Sequence, residues 1–373
     1  MSESPLRVLI AGGGVAGLET LMALHALAPS GVELTLVAPD DEFVYKPLAA
    51  DELFAVQRQR NIRLSSAAKA AGSAFVAAEV VSVDWRRDVV EASTGERIPY
   101  DALVLAIGAE AAPAVDHATT WDDRSDADVL GGLLRDAEDG YSRRVAVVIP
   151  PGPVWPLRGY ELALLIKLDA AGMSSDVEVT VVRPEPSPLA SLERDVAEAL
   201  AHELDRAGVA IAPADRAEVV KDDPFAVIAH PSGERVQVDR VIALPSLRGR
   251  PIEGIPVDAG GFVEVDEHCR VRGVAHVWAV GDCTDFPLKS GGFAAEQADV
   301  AAEHIAAAAG ASVEAHPFAP ALHRELVGLP AGRFLQQWLT EGDSGLSMHL
   351  PAAGVPVLTY LERDLYAGWH GDR

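Results

Sequence analysis

Cysteine is scarce. Only Cys269 and Cys283 occur in 373 residues, and no C-x-x-C pair exists. That argues against a disulfide framework and against a dithiol–disulfide relay, and it suits a reducing cytoplasm. The two thiols stand as unpaired structural residues or as neighbours in space. The eleven histidines show no ligand-like spacing, and His268 beside Cys269 is the nearest thing to a metal pair. No metal site is expected.

Basic residues are also short. Lys and Arg number 31 against 56 Asp and Glu, a net charge of -25. Such a surface repels phosphate backbones, so nucleic acid is not an expected partner. Docking on anionic lipid by charge alone is disfavoured too. No apolar run reaches the length of a membrane-spanning helix. Met1 to Arg7 is short and polar, and a strand follows at once, so no secretory signal is read and a cytoplasmic location is expected.

What remains is an alanine-rich α/β pattern, 49% apolar and long enough for two or three domains. Leu6 to Ala11 reads as a strand, Val15 to Leu27 as a helix closed by Pro29-Ser30-Gly31, and Val32 to Val37 as a second strand. This is the βαβ opening of a doubly wound sheet. Phe75 to Asp84 reads as sheet, Val89 to Ala92 with Arg97 to Pro99 as a hairpin, and Leu103 to Ile107 as a buried strand. A second α/β unit starts near Arg143. It has strands at Val145 to Ile149, Val177 to Val182, Val209 to Ala212 and Val241 to Leu244, with helices at Leu157 to Ala171 and Leu192 to Ala207. Val274 to Asp282 is again strand into glycine turn, followed by a helix from Gly292 to Ala309.

Gly12, Gly14 and Gly17 have G-x-G-x-x-G spacing between a strand and a helix. Gly12 permits the tight turn, Gly14 lets backbone approach a pyrophosphate, and Gly17 lets helix and sheet pack closely. The helix N-terminus offers free N–H groups and a positive dipole end. After the second strand, Ala38 stands where an acid usually holds the adenosine ribose, and Asp40 and Asp41 come two residues later. Either Asp40 reaches the ribose or backbone groups do, or the acids form a solvated turn. Val277 to Asp282 delivers a carboxylate beside a glycine, as a ligand contact or as a strand-end cap.

These residues, with Tyr100 to Ala109 and the run Asp41-Glu42-Phe43-Val44-Tyr45-Lys46-Pro47-Leu48, resemble the FAD-dependent pyridine nucleotide–disulfide oxidoreductase superfamily. The branch they look like holds type II NADH dehydrogenases, sulfide:quinone oxidoreductases and flavocytochrome c sulfide dehydrogenases. The resemblance implies an α/β fold with two Rossmann-like dinucleotide-binding domains and a small C-terminal region. An FAD-binding domain would comprise residues 1–109 and 256–310, an NAD(P)-binding-like domain residues 110–255, and a C-terminal interface region residues 311–373. It implies non-covalent FAD. Gly12, Gly14, Val15, Ala16 and Gly17 would hold the pyrophosphate. Pro39 joins the cofactor contacts, and Val80 would touch adenine through its backbone. Lys46 and Pro47 would lie near the flavin, Ala106 and Gly108 would line it, and Gly281 and Asp282 would take the ribityl chain. Gly291, Gly292 and the helix behind them would point a positive end at the flavin's N1–O2 edge. Lys289 adds charge there or stands in solvent.

The second unit departs from that pattern. Its loop reads Pro150-Pro151-Gly152-Pro153-Val154-Trp155-Pro156-Leu157-Arg158-Gly159. Four prolines have no N–H for a phosphate, and Trp155 adds bulk where backbone must approach closely. Arg183-Pro184 stands where NADH users tend to have an acid, and NAD(P)H binding is doubtful. Neither cysteine lies in the body of the second unit, so sulfide oxidation is not expected. Val355 to Trp369 reads as a helix touching a membrane peripherally, meeting a second copy in a homodimer, or packing on the protein itself. The resulting reading is an FAD-dependent oxidoreductase passing electrons from a small-molecule donor to a quinone or small acceptor, with the flavin as redox centre and no catalytic side chain named. An NAD(P)H dehydrogenase with an atypical nicotinamide site, and a flavin-binding sensor with little turnover, are the alternatives.

Overall fold

The computed structural model describes residues 4–44, 61–121, 131–132, 135–136, 141–172, 175–184, 194–222, 224–320, 324–325 and 334–335. Strand β1 (Leu6–Ala11) has its last four residues buried in succession. Continuous burial, rather than alternation, marks a strand covered on both faces. Helix α1 (Val15–Leu27) and β2 (Val32–Ala38) complete the opening unit. A short pair, β3 (Glu42–Val44) and β4 (Asn61–Arg63), leads to α2 (Leu64–Ala70) and β5 (Ala74–Ala77). Strands β6 (Val80–Asp84), β7 (Val89–Ala92) and β8 (Arg97–Pro99) form an antiparallel meander before β9 (Ala102–Leu105) returns to the sheet. The run from Phe75 to Asp84 is therefore two strands of two different sheets. It breaks where Ala78 N–H turns to the Ala38 carbonyl and Glu79 N–H to Ser93 Oγ.

The chain crosses over through β10 (Ala109–Ala112) and β11 (Thr119–Thr120). The second unit then runs β12 (Arg144–Val148), α3 (Leu157–Gly172), β13 (Glu178–Arg183), α4 (Arg194–Ala207) and β14 (Val209–Pro213). A second meander follows in β15 (Arg216–Val220), β16 (Ala226–His230) and β17 (Glu234–Gln237), and β18 (Arg240–Ala243) closes the sheet. Strand β19 (Ser246–Gly249) pairs antiparallel with β10, so the outgoing and returning chains form one ribbon. By Ile252 and Ile255 the chain is back in the core with Leu9 and Leu103. Strand β20 (Val277–Ala279) and α5 (Gly291–Ala308) follow, and a short antiparallel pair, β21 (Arg324–Glu325) with β22 (Phe334–Leu335), comes last among the described residues.

Two parallel sheets result, ordered β20-β9-β1-β2-β5 and β11-β18-β12-β13-β14. Each is covered by helices on one face and by its own meander on the other. Helices α1 and α5 bury Leu18, Leu21, Ala301, Ala302 and Ile305 against Val8 and Ile10, while Val90 and Tyr100 cover Leu9 and Leu103. In the second unit Leu162, Ile166, Leu200 and Leu204 cover Val145 and Val147, while Val219 and Val227 cover Ala146 and Val148.

The duplication extends to single residues. Arg7 precedes Val8, the partner of Ala102, and clamps Asp101 with Nη2–Oδ1 at 2.7 Å. Arg144 precedes Val145, the partner of Arg240, and clamps Asp239 at the same 2.7 Å. In both clamps the Arg backbone N–H also donates to the aspartate Oδ2, and the Asp N–H donates to the Arg carbonyl.

Candidate active site

The first glycine loop welds three elements together. Gly12 N–H donates to the Val37 carbonyl at 2.8 Å, with φ of +119°. A Cβ on Gly12 would lie 2.1 Å from the Ala106 carbonyl oxygen, and one on Gly17 would lie 1.9 Å from the Gly12 carbonyl oxygen. Gly14 differs: it is the N-cap of α1, supplies no side-chain cap, and a Cβ there would meet nothing within 4 Å. The first turn of α1 carries no acid. A helix N-terminus with unspent N–H groups thus opens onto free space.

Gly281 (φ +77°) follows β20 in a tight 3₁₀ turn, Gly281–Cys283. A Cβ on it would lie 3.0 Å from Ala16 Cβ of α1 and 3.4 Å from Ala294 Cβ of α5. Gly281 therefore sits between the first turns of two helices. Its N–H donates to Gln297 Oε1 at 2.7 Å, and Thr284 Oγ1 donates to its carbonyl at 2.9 Å. Lys289 Nζ donates to the Thr284 carbonyl at 2.5 Å and stands 4.2 Å over the Phe262 ring. Lys289 is buried, which overturns the solvent reading. Burial pulls its pKa below the usual lysine range, and Asp282 leads the acids that oppose this. Ser290 caps α5 by accepting from Phe293 N–H, a contact worth about 1 kcal/mol.

The structure thus brings Gly12, Gly14, Val15, Ala16, Gly17, Ala106, Gly281 and Gly291 together, the last 3.9 Å from Val15 by its would-be Cβ. Asp282 and Gly292 adjoin them, half-buried, and Gly108 lies two residues beyond Ala106. Pro39 and Asp40 are exposed just past β2. Asp41 is spent on Ser65, accepting from its N–H at 2.6 Å and its Oγ at 2.8 Å. Val80 opens β6, beyond the end of β5. Lys46, Pro47 and the segment from Val355 to Trp369 lie outside the described residues. Gln297, Thr284 and Phe293 are not singled out by the sequence pattern. Gln297 carried a signal, as a polar residue on an alanine-rich helix face that turns out to be buried.

Both cysteines are buried and free. Cys283 Sγ donates to the Leu105 and Val280 carbonyls at 3.3 Å, and burial pushes its thiol up to about 11. Burial also pushes Cys269 well above the usual thiol range. Neither is a thiolate near neutral pH.

The second loop is built differently from the first. Ile149 N–H donates to Val182 O, as Gly12 N–H does to Val37 O, and Leu244 N–H bonds Val148 O as Ala106 N–H bonds Ala11 O. Ile149 therefore occupies the place of Gly12. Gly159 occupies that of Gly17, since α1 and α3 each start two residues before it. A Cβ on Gly159 would lie 2.6 Å from Ile149 Cγ1, so close helix–strand packing survives. Five positions separate Gly12 from Gly17, but ten separate Ile149 from Gly159. The extra length carries Trp155 inward to 4% exposure, edge-on to Phe293 with ring centroids 5.8 Å apart. Phe293 meets Phe286 at 5.3 Å, and Phe286 meets Phe318 at 5.1 Å. Arg158 stacks over the Trp121 ring at 4.6 Å. Arg183 is buried at the end of β13.

Residues 6–311 match the sequence model of the pyridine nucleotide-disulphide oxidoreductase family. Ferroptosis suppressor protein 1 of Homo sapiens is 24% identical over 303 residues, covering 76% of this chain and 76% of that protein. The mitochondrial internal alternative NAD(P)H-ubiquinone oxidoreductase A1 of Arabidopsis thaliana is 26% identical over 331 residues, covering 78% of this chain and 63% of that one. Among solved structures, the sulfide:quinone oxidoreductase of the hyperthermophilic bacterium Aquifex aeolicus has a TM-score of 0.69 at 19% identity, covering 80% of this chain and 76% of that one. At that identity the likeness concerns the fold.

Proposed function

Because the chain belongs to the pyridine nucleotide-disulphide oxidoreductase family, and is an FAD-dependent oxidoreductase, we propose that it passes electrons through a non-covalent flavin to a quinone or another small acceptor. The observation that carries this reading is Gly281 wedged between Ala16 and Ala294. It sets the N-terminal turns of α1 and α5 side by side. A flavin dinucleotide has two anionic centres, its pyrophosphate and its reduced ring, and two positive helix ends suit both. The free space at Gly14 fits the first of them.

In this reading the backbone N–H groups of Gly14 to Gly17 bind the pyrophosphate, and Asp282 accepts from a ribityl hydroxyl. Lys289 and Gln297 hold the Gly281–Thr284 turn in place. The N-terminus of α5 favours negative charge on the ring. FAD supplies the redox chemistry when bound, and the chain supplies binding, orientation and field. Residues 1–109 and 256–310 carry the flavin, with the 250–255 return packed on them. Residues 110–255 form a nicotinamide-type unit with an altered loop, and 311–373 an interface region. The scarcity of cysteine supports work in the cytoplasm. Among the described residues no helix is long and apolar enough to cross a membrane, so any contact with one is peripheral in this reading.

The name of the Arabidopsis thaliana relative supports a second reading, with NAD(P)H as donor. The test is to purify the protein, denature it, and identify the released chromophore. One FAD per chain, with anaerobically reduced flavin reoxidised by a soluble quinone, is the expected result. A protein that binds no FAD, or whose reduced flavin ignores quinones and small acceptors alike, overturns the proposal.

A further inference from the structure

We propose that Trp155 is the specificity-determining residue for the electron donor: it holds the seat between the second loop and the first turn of α5 that a nicotinamide ring would need. The inference rests on the flavin ring lying at the N-terminus of α5. A dinucleotide docked on the second unit must reach from that unit's loop to this helix end. The two are joined there by direct ring contact, Trp155 to Phe293 at 5.8 Å between centroids. No gap is left for a second planar ring between them.

Three further features act the same way. Ile149 stands where the first loop has Gly12, and it does not take the positive-φ backbone with which Gly12 turns (φ +119°). Pro150, Pro151, Pro153 and Pro156 remove four N–H groups from the stretch that would cradle a phosphate. Arg158, in the first turn of α3, lies against Trp121, with its guanidinium carbon 4.6 Å from the ring centroid. The partner side is fixed as well, because the Phe293 N–H is held by Ser290.

The indole carries a mark of its role. Trp155 Nε1 is buried with no hydrogen-bond partner among the described residues. A buried indole N–H without a partner is one that packing, not hydrogen bonding, holds in place. Its edge contact with Phe293 and the surrounding core keep the ring inside, where a solvent-facing loop would expose it. The donor this chain accepts therefore reaches the flavin by a route that does not pass over the second loop.

The test is anaerobic titration of the FAD-loaded protein with NADH and NADPH, followed by long-wavelength charge-transfer absorbance and by calorimetric binding of NAD⁺. The wild type is expected to show no saturable binding below about 1 mM. Trp155→Ala is expected to bind at least about tenfold more tightly at unchanged FAD content. Trp155→Phe, which keeps a ring in the seat, is expected to behave as the wild type. Should Trp155→Ala not fold, Trp155→Val is read in the same way. Micromolar nicotinamide binding by the wild type overturns the proposal, as does an FAD-loaded small-residue variant that gains nothing. Absence of FAD from the wild type would instead overturn the reading of the flavin site.

Discussion

Gly17 lies so close beneath Gly12 that a Cβ on it would stand 1.9 Å from the Gly12 carbonyl oxygen. The contact is backbone to backbone, so no side chain can swing away to relieve it. Gly14, three residues earlier, faces open space. The same motif thus holds two glycines required by packing, Gly12 and Gly17, and one required by whatever enters the loop.

That difference separates fold from binding. Gly17→Ala should destabilise the protein by about 3 kcal/mol and lose flavin as a consequence. Gly14→Ala should lower the melting temperature of the flavin-free protein only slightly, the cost of alanine at an N-cap, and weaken FAD binding about tenfold or more, because its methyl occupies the cradle. Thermal melts and flavin-to-protein absorbance ratios read both. Equal loss of stability in the two variants would place the fold, not the ligand, behind Gly14.

Lys289 makes a second test. Its ammonium is buried and bonded to the Thr284 carbonyl, and Thr284 in turn holds Gly281. Lys289→Met keeps the stem's packing over Phe262 but removes the charge-assisted bond. A loss of about 1.5–3 kcal/mol is expected, read as weaker FAD retention during dialysis and a lower melting temperature. Retention and melting equal to wild type would show that the turn stands without this bond.

The cysteines should be bystanders. With Cys283 pushed up to about 11 and buried, the native protein is expected to resist thiol reagents at pH 8 until denatured. The pair Cys269→Ala and Cys283→Ala should bind FAD normally and keep flavin turnover within about threefold of wild type. Rapid labelling of the native protein, or loss of turnover with FAD still bound, would bring a thiol back into the chemistry.

Much of this architecture is legible in the sequence because buried parallel strands write continuous apolar runs. Leu6–Ala11 and Val15–Leu27 fall where periodicity puts them. The Gly12-Gly14-Gly17 spacing and Gly281-Asp282 are legible for a related reason, since close backbone approach admits only small residues. Long-range partners are another matter. Nothing local says that Phe293 meets Trp155, or that Lys289 lies under the Gly281 turn, because tertiary packing decides both. The register shift that puts Ile149 in the place of Gly12 is likewise invisible until the strand hydrogen bonds align the two units. The prolines alone suggested a damaged loop, whereas the structure shows a longer loop filled by its own tryptophan.

The paired clamps predict how the fold meets acid. The Arg7 guanidinium holds the Asp101 carboxyl down at about 2, and Arg144 holds Asp239 below the usual carboxylate range. A carboxylate depressed in the folded state contributes stability that is fully present above its unfolded value of about 3.9. That contribution falls away as the pH drops toward about 2 for Asp101. The Arg7–Asp101 side chains are 46% and 35% exposed, so solvent screening limits the pair to less than about 1 kcal/mol. Asp101→Asn should therefore melt slightly below wild type at pH 7, and the two curves should draw together as the pH falls below 4. Urea unfolding at several pH values measures the difference. A gap that widens on acidification would mean that Asp101 is protonated in the folded protein, and the clamp would not be the ion pair described.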